Sequence, residues 1–120
     1  KAELYFYGHS HDYERGIAPN GNLRMILTGG GGAALDRWGM YDNQTDYPEI
    51  QCTFDYYNYV LVDVDLANHS YTAKTYSLGN LDVPQNNILL EEFDRYRDAE
   101  KPETPIGLSP AGVGSEQPIL

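Results

Sequence analysis

Cysteine is almost absent: the 120-residue chain has one, Cys52. A single thiol closes no internal disulfide and builds no cysteine-based zinc site, so the disulfide-scaffold and zinc-finger classes are excluded. Cys52 reads as a small buried hydrophobe. Positive charge is scarce too, with 8 Lys and Arg against 18 Asp and Glu and a formal charge of −10. Nucleic-acid affinity depends on cationic side chains that displace counterions, so nucleic acid is not expected as a stable partner. An anionic substrate would need local help from something positive, such as a metal. No apolar run approaches the roughly 20 residues of a membrane helix, so no membrane span is expected, and no signal peptide is visible. Methionine is missing from the first position, where Lys1 stands. The expectation is a processed or cut piece of something longer, in which a site is divided between this piece and a preceding one.

What is present suffices for a small core, with 41% hydrophobic residues in a length that makes one domain or less. Residues 2–8 (AELYFYG) form a short aromatic run closed by glycine, which predicts a buried strand feeding a loop. A Pro19-Asn20-Gly21-Asn22 turn precedes a second strand, LRMILT over 23–28, which runs into Gly29–Gly32. Residues 35–54, with Asp36, Arg37 and Trp38, read as an irregular excursion across the surface. The stretch Tyr59–Leu66 alternates, with Val60, Val62, Val64 and Leu66 on one face and Asp63 and Asp65 on the other. With the Ala67-Asn68-His69 turn and 70–77 it predicts a hairpin with one wet face.

Residues 87–98 (NILLEEFDRYRD) change period: Leu89, Phe93 and Tyr96, joined by Leu90, fall on one helical face. Asn86 or Asn87 can cap the start, Glu91 and Glu92 lie early, and Arg95 and Arg97 lie late, as a helix dipole prefers. An amphipathic helix docked on the sheet is expected. Residues 101–120, rich in Pro, Gly and Ser, read as a linker or tail after a unit spanning 1–100.

The chemistry concentrates in Gly8-His9-Ser10-His11-Asp12-Tyr13-Glu14-Arg15. On an extended backbone, residues two apart point the same way, so His9 and His11 are candidate metal ligands after a strand. Asp12 and Glu14 stand near enough in sequence to support a ligating imidazole. The octet resembles the final G-H-x-H signature of calcineurin-like metallophosphoesterases, and its G-H-x-H-x-Y-E-R form is similar to the purple acid phosphatase branch. The strand with its glycine-rich turn over 23–34 and the hairpin over 59–79 also look like segments of that family, so the resemblance spans about residues 2–80.

The resemblance implies an α/β fold, the four-layer αββα sandwich, of which this chain is the C-terminal part: mostly antiparallel β-strands plus one C-terminal helix. It implies two divalent or trivalent metal ions (Fe, Zn or Mn), His9 ligating one and His11 the other, that activate a water for attack on a phosphate ester. Tyr13, Glu14 and Arg15 match positions of mainly structural role, with Tyr13 and Arg15 also candidates for substrate binding, Arg15 through its anion-seeking guanidinium. The family's upstream D-x-H or D-x-G, G-D-x-x-D and G-N-H motifs do not occur here. His69 follows the octet, the wrong order for the missing histidine. The missing N-terminal part of the domain is therefore the expected partner, a phosphate ester the substrate, and the isolated piece is expected to be inactive. A secreted or periplasmic location goes with similar enzymes that carry long C-terminal linkers.

Other motifs carry less. The four-glycine run lacks the Lys-Ser/Thr ending of a phosphate-binding loop and reads as a tight turn beside the site. Asp63 and Asp65 read as solvated hairpin carboxylates, and the eleven tyrosines mostly as strand residues. The rival classes are a cupin-like mononuclear β-barrel, using His9, His11 and Glu14, and a non-enzymatic β-rich binding module. Glu14 lies one residue short of the usual cupin spacing. A metallo-β-lactamase signature fails at Tyr13 and Glu14, which stand where its Asp and His belong.

Overall fold

The computed structural model describes residues 2–19, 21, 23–37 and 47–94. These form seven strands and no helix: β1 (Leu4–Tyr7), β2 (Tyr13–Ile17), β3 (Arg24–Thr28), β4 (Ile50–Phe54), β5 (Tyr57–Asp65), β6 (Ser70–Gly79) and β7 (Pro84–Asp94). One sheet runs β1-β3-β2-β4 and the other β5-β6-β7. All pairings are antiparallel except β1 with β3. Trp38, Tyr96, the late arginines of the expected helix and the 101–120 tail lie outside the described residues.

The two sheets share one core. Tyr13, Ile26, Cys52 and Phe54 from the first meet Tyr71, Ala73, Leu90 and Phe93 from the second, with Tyr56 at the crossing between them. The hairpin forms, with Val62 opposite Ala73 and Val64 opposite Tyr71, but the apolar face is covered only in part, since Val64 is 65% and Leu66 80% exposed. In β6 the pleat buries Tyr71, Ala73, Thr75 and Ser77 in succession.

Three expectations are corrected. The run over 2–8 contains a strand, but not a buried one: Tyr5 is 55% and Phe6 44% exposed, because β1 is an edge strand. The excursion over 35–54 ends in β4, where Ile50, Cys52 and Phe54 point into the protein and the chain pairs antiparallel with β2. Most consequential, residues 87–94 belong to β7 and not to a helix. Leu89 and Phe93, four apart, fit either period, and β6 presents an edge that β7 fills from Thr72 to Gly79. A register shift at Leu90 lets Leu90, Glu91 and Phe93 all be buried. Asn87, a candidate helix cap, instead sits at φ 53° beside the other irregularity in β7, its side chain accepting from the Tyr59 hydroxyl.

No helix long and apolar enough to cross a membrane occurs among the described residues. The expected solvated groups are solvated: Asp63 and Asp65 are exposed, and His69 occupies the hairpin turn at φ 52°. Asp65 accepts from the Asn68 side chain at 2.7 Å and its backbone N–H at 3.1 Å, which lowers the Asp65 pKa.

Candidate functional site

The loop between β1 and β2 carries both histidines, at the end of the first sheet where β3 runs into the glycine-rich turn. The two segments are packed backbone to backbone. The Gly29 N–H donates to the Asp12 carbonyl at 3.0 Å, and a Cβ on Gly29 would sit 1.8 Å from the Ser10 carbonyl oxygen. No other residue fits there. Gly30 is equally confined, its would-be Cβ 2.5 Å from the Asn58 side chain and 2.6 Å from the Tyr56 carbonyl oxygen.

Asn58 knits this end together. Its side-chain N–H groups donate to the carbonyls of Tyr56 (2.8 Å) and Asp12 (3.3 Å), its side-chain oxygen accepts from Thr28 (2.7 Å), and its backbone N–H donates to Gly30 (2.9 Å). It is 5% exposed, so these bonds are well shielded from water.

His11 is held from one side by residues 34–36. Its Nδ1 lies 2.8 Å from the Ala34 carbonyl oxygen. A carbonyl only accepts, so Nδ1 carries the proton and Nε2 is left with its lone pair. The His11 N–H donates to the Asp36 carboxylate at 2.9 Å, and the Asp36 N–H returns a bond to the His11 carbonyl at 3.0 Å. His9 is exposed and adopts φ 89°, a left-handed conformation rare outside glycine. Residues 9–12 form bends and not extended chain, so the pleat that would aim both rings the same way does not operate here. Their placement depends on the contacts of His11 with residues 34–36 and on the strained His9 backbone.

Past Asp12 the octet enters the core. Tyr13 is wholly buried, and its hydroxyl donates to Glu91 Oε2 at 2.6 Å while accepting from Thr75 at 3.0 Å. Arg15, 6% exposed, places Nε 2.8 Å from the same oxygen and donates from Nη1 to Gln51. The Cys52 thiol, 3.3 Å from Oε1, completes the carboxylate, which is itself fully buried. Burial first, then the Glu91 charge, holds the Tyr13 phenol well above its ordinary pKa of 10.0. Arg15 shifts upward: burial, the largest single effect, opposes its charge, and the neighbouring Glu91, Cys52 and Tyr13 together outweigh it. Arg15 and Arg24 also lie 5.7 and 5.1 Å from the centre of the Phe93 ring. Tyr13 and Arg15 therefore join the two sheets, and neither reaches the histidine loop. Glu14, from the opposite pleat of β2, pairs in register with Leu27 and Thr53.

Sequence reasoning missed Glu91, Asn58 and Asp36. Glu91 is hidden by the helical reading, which takes it as an early acidic residue suited to the helix dipole. Asn58 carried a weak signal as a lone amide in a tyrosine-rich strand, and Asp36 carried none.

Among the described residues no group of three His, Cys, Asp or Glu side chains gathers as a metal site. His9 and His11 are two donors of a type that suits Zn, Fe or Mn, and a metal on them would need further ligands from elsewhere. No protein-family model, curated protein or solved structure matches the chain.

Proposed function

We propose that this chain is the C-terminal part of a two-metal phosphoesterase of the αββα type, contributing His9 and His11 as ligands. The observation that carries the reading is the Nδ1–Ala34 hydrogen bond. Metal-ligating histidines characteristically give their second ring N–H to a carbonyl or carboxylate, which fixes the tautomer and raises the basicity of the ligating nitrogen. The strained backbone of His9 is the second support, since such strain gathers where geometry serves a ligand. The third is the state of the sheet edges. β1 and β5 are both edge strands, and Leu4 and Val64 flank a groove of about 560 Å³ in which Val64 remains 65% exposed. An additional part of the domain, extending these sheets and bringing the carboxylates that two imidazoles lack, accounts for all three.

Bound metals supply the acidity that makes water nucleophilic near neutral pH and the charge that holds phosphoryl oxygens. This chain's share is positional. His11 presents Nε2 from a clamped ring, His9 presents its imidazole from an exposed turn, and Gly29 lets the two supporting segments close to contact. Tyr13 and Arg15 anchor the base of the loop on Glu91. The mononuclear alternative with Glu14 has no such support, because Glu14 does not gather with His9 and His11.

The test compares this chain with the longer reading frame that contains it. The 120-residue piece is expected to hydrolyse no phosphate ester, with or without divalent metal. The longer product is expected to hydrolyse one, and to lose both bound metal and at least about tenfold in rate on His9→Ala or His11→Ala. Robust hydrolysis by the short piece, or a preceding segment without Asp, Asn and His motifs, overturns the proposal.

A further inference from the structure

Resting on that reading, we infer that Asp36 is a positioning residue for His11, the closing element of a strap that sets which ring nitrogen meets the metal. Every bond described above for His11 comes from residues 34–36: the ring to the Ala34 carbonyl, the backbone N–H to the Asp36 carboxylate, and the backbone carbonyl to the Asp36 N–H. The partners are 23 and 25 residues away along the chain, so the contact is tertiary and not a local turn.

The strap is fixed at both ends. Its start, Gly30, is bonded to Asn58 at 2.9 Å. At its far end, the Arg37 guanidinium lies 3.0 Å from Asp82, in the connection between β6 and β7. Between these anchors Asp36 makes two bonds to the main chain of one residue, which sets both the translation and the tilt of the His11 backbone. The ring then has one direction in which Nδ1 meets the Ala34 oxygen, leaving Nε2 outward. Free imidazole favours the opposite tautomer, so the strap selects the form that ligates through Nε2. Among the described residues His9 has no comparable brace. The metal served by His11 is therefore the more tightly held of the pair, and Asp36, which need not touch it, governs its affinity.

The experiment is ¹⁵N NMR of the His9 and His11 imidazole rings in the longer product of the reading frame that contains this chain, at pH 7.5, titrated with Zn²⁺ alone, for the native protein, Asp36→Ala and Asp36→Asn. The native His11 should show a protonated Nδ1 and a pyridine-type Nε2 that moves on Zn²⁺ addition. In Asp36→Ala the ring should relax toward the free-histidine tautomer and Zn²⁺ affinity should fall about tenfold. Asp36→Asn, which keeps an acceptor oxygen in place, should restore both. Native tautomer and native affinity in Asp36→Ala overturn the role of Asp36 while leaving the metal reading intact. Native imidazoles that ignore Zn²⁺ overturn both.

Discussion

The two halves of the octet meet opposite fates within seven residues. His9 and His11 stand on a loop of bends, one exposed and strained, the other braced by backbone and a half-buried carboxylate. Tyr13 and Arg15, on the adjoining strand, are buried and converge on a carboxylate that has no exposure at all. The difference separates presentation from anchorage. A ligand loop needs lone pairs turned outward and tolerates strain, whereas its base must be tied to the opposite sheet to keep that strain from relaxing. Buried ionic groups hold geometry only when every partner is present, since a lone charge in the core costs more than the pair returns.

The anchor half should break hardest. Glu91→Ala leaves the Arg15 guanidinium buried against an empty place, and urea denaturation should show a loss of about 3–5 kcal/mol. A loss under about 1 kcal/mol would mean that water reaches Arg15 and that the two halves are less distinct than they look. Tyr13→Phe is the intermediate case, removing one bond to an ionised acceptor at a cost of about 1.5–3 kcal/mol at neutral pH. The same variant sharpens the comparison by pH. The folded-state pKa of Tyr13 is raised above 10.0, so its contribution is fully present below about pH 10 and drains away as pH climbs toward the folded value. Native protein should lose stability in that alkaline range more steeply than Tyr13→Phe, with Tyr56 and Tyr71, shifted the same way by burial, contributing equally to both.

The smallest effect belongs to the presentation half and has the opposite sign. His9→Gly relieves the left-handed backbone, and after glycine's own entropic penalty a gain of about 0.5–1 kcal/mol is expected in the melting free energy. A destabilised His9→Gly would show that the His9 ring is part of the packing and not a presented donor.

Parts of the chain are legible without coordinates. The strand over 24–28, the hairpin over 57–79 and the loop position of the two histidines follow from glycine, turn residues and a period of two. The failures share a cause. Residues 50–54 and 84–94 have patterns that leave the choice open, and both became strands because β2 and β6 offered edges to pair with. An early glutamate suits a helix N-terminus as well as it suits an arginine 76 residues away, and only assembly tells the two apart. Cys52 was placed correctly as buried, yet its bond to Glu91 was invisible.

By itself, then, the order of residues determined what is local: a β-rich chain, an acidic surface, a glycine-rich run after β3, and two imidazoles two residues apart on a loop. Tertiary structure decided how those imidazoles are held. It put residues 34–36 beside His11 and so chose its tautomer, and it carried Glu91 across the core to Tyr13 and Arg15. Those choices depend on contacts between residues 23 to 78 positions apart. A local pattern cannot encode them, because the free energy that selects them comes from closing both sheets over one core.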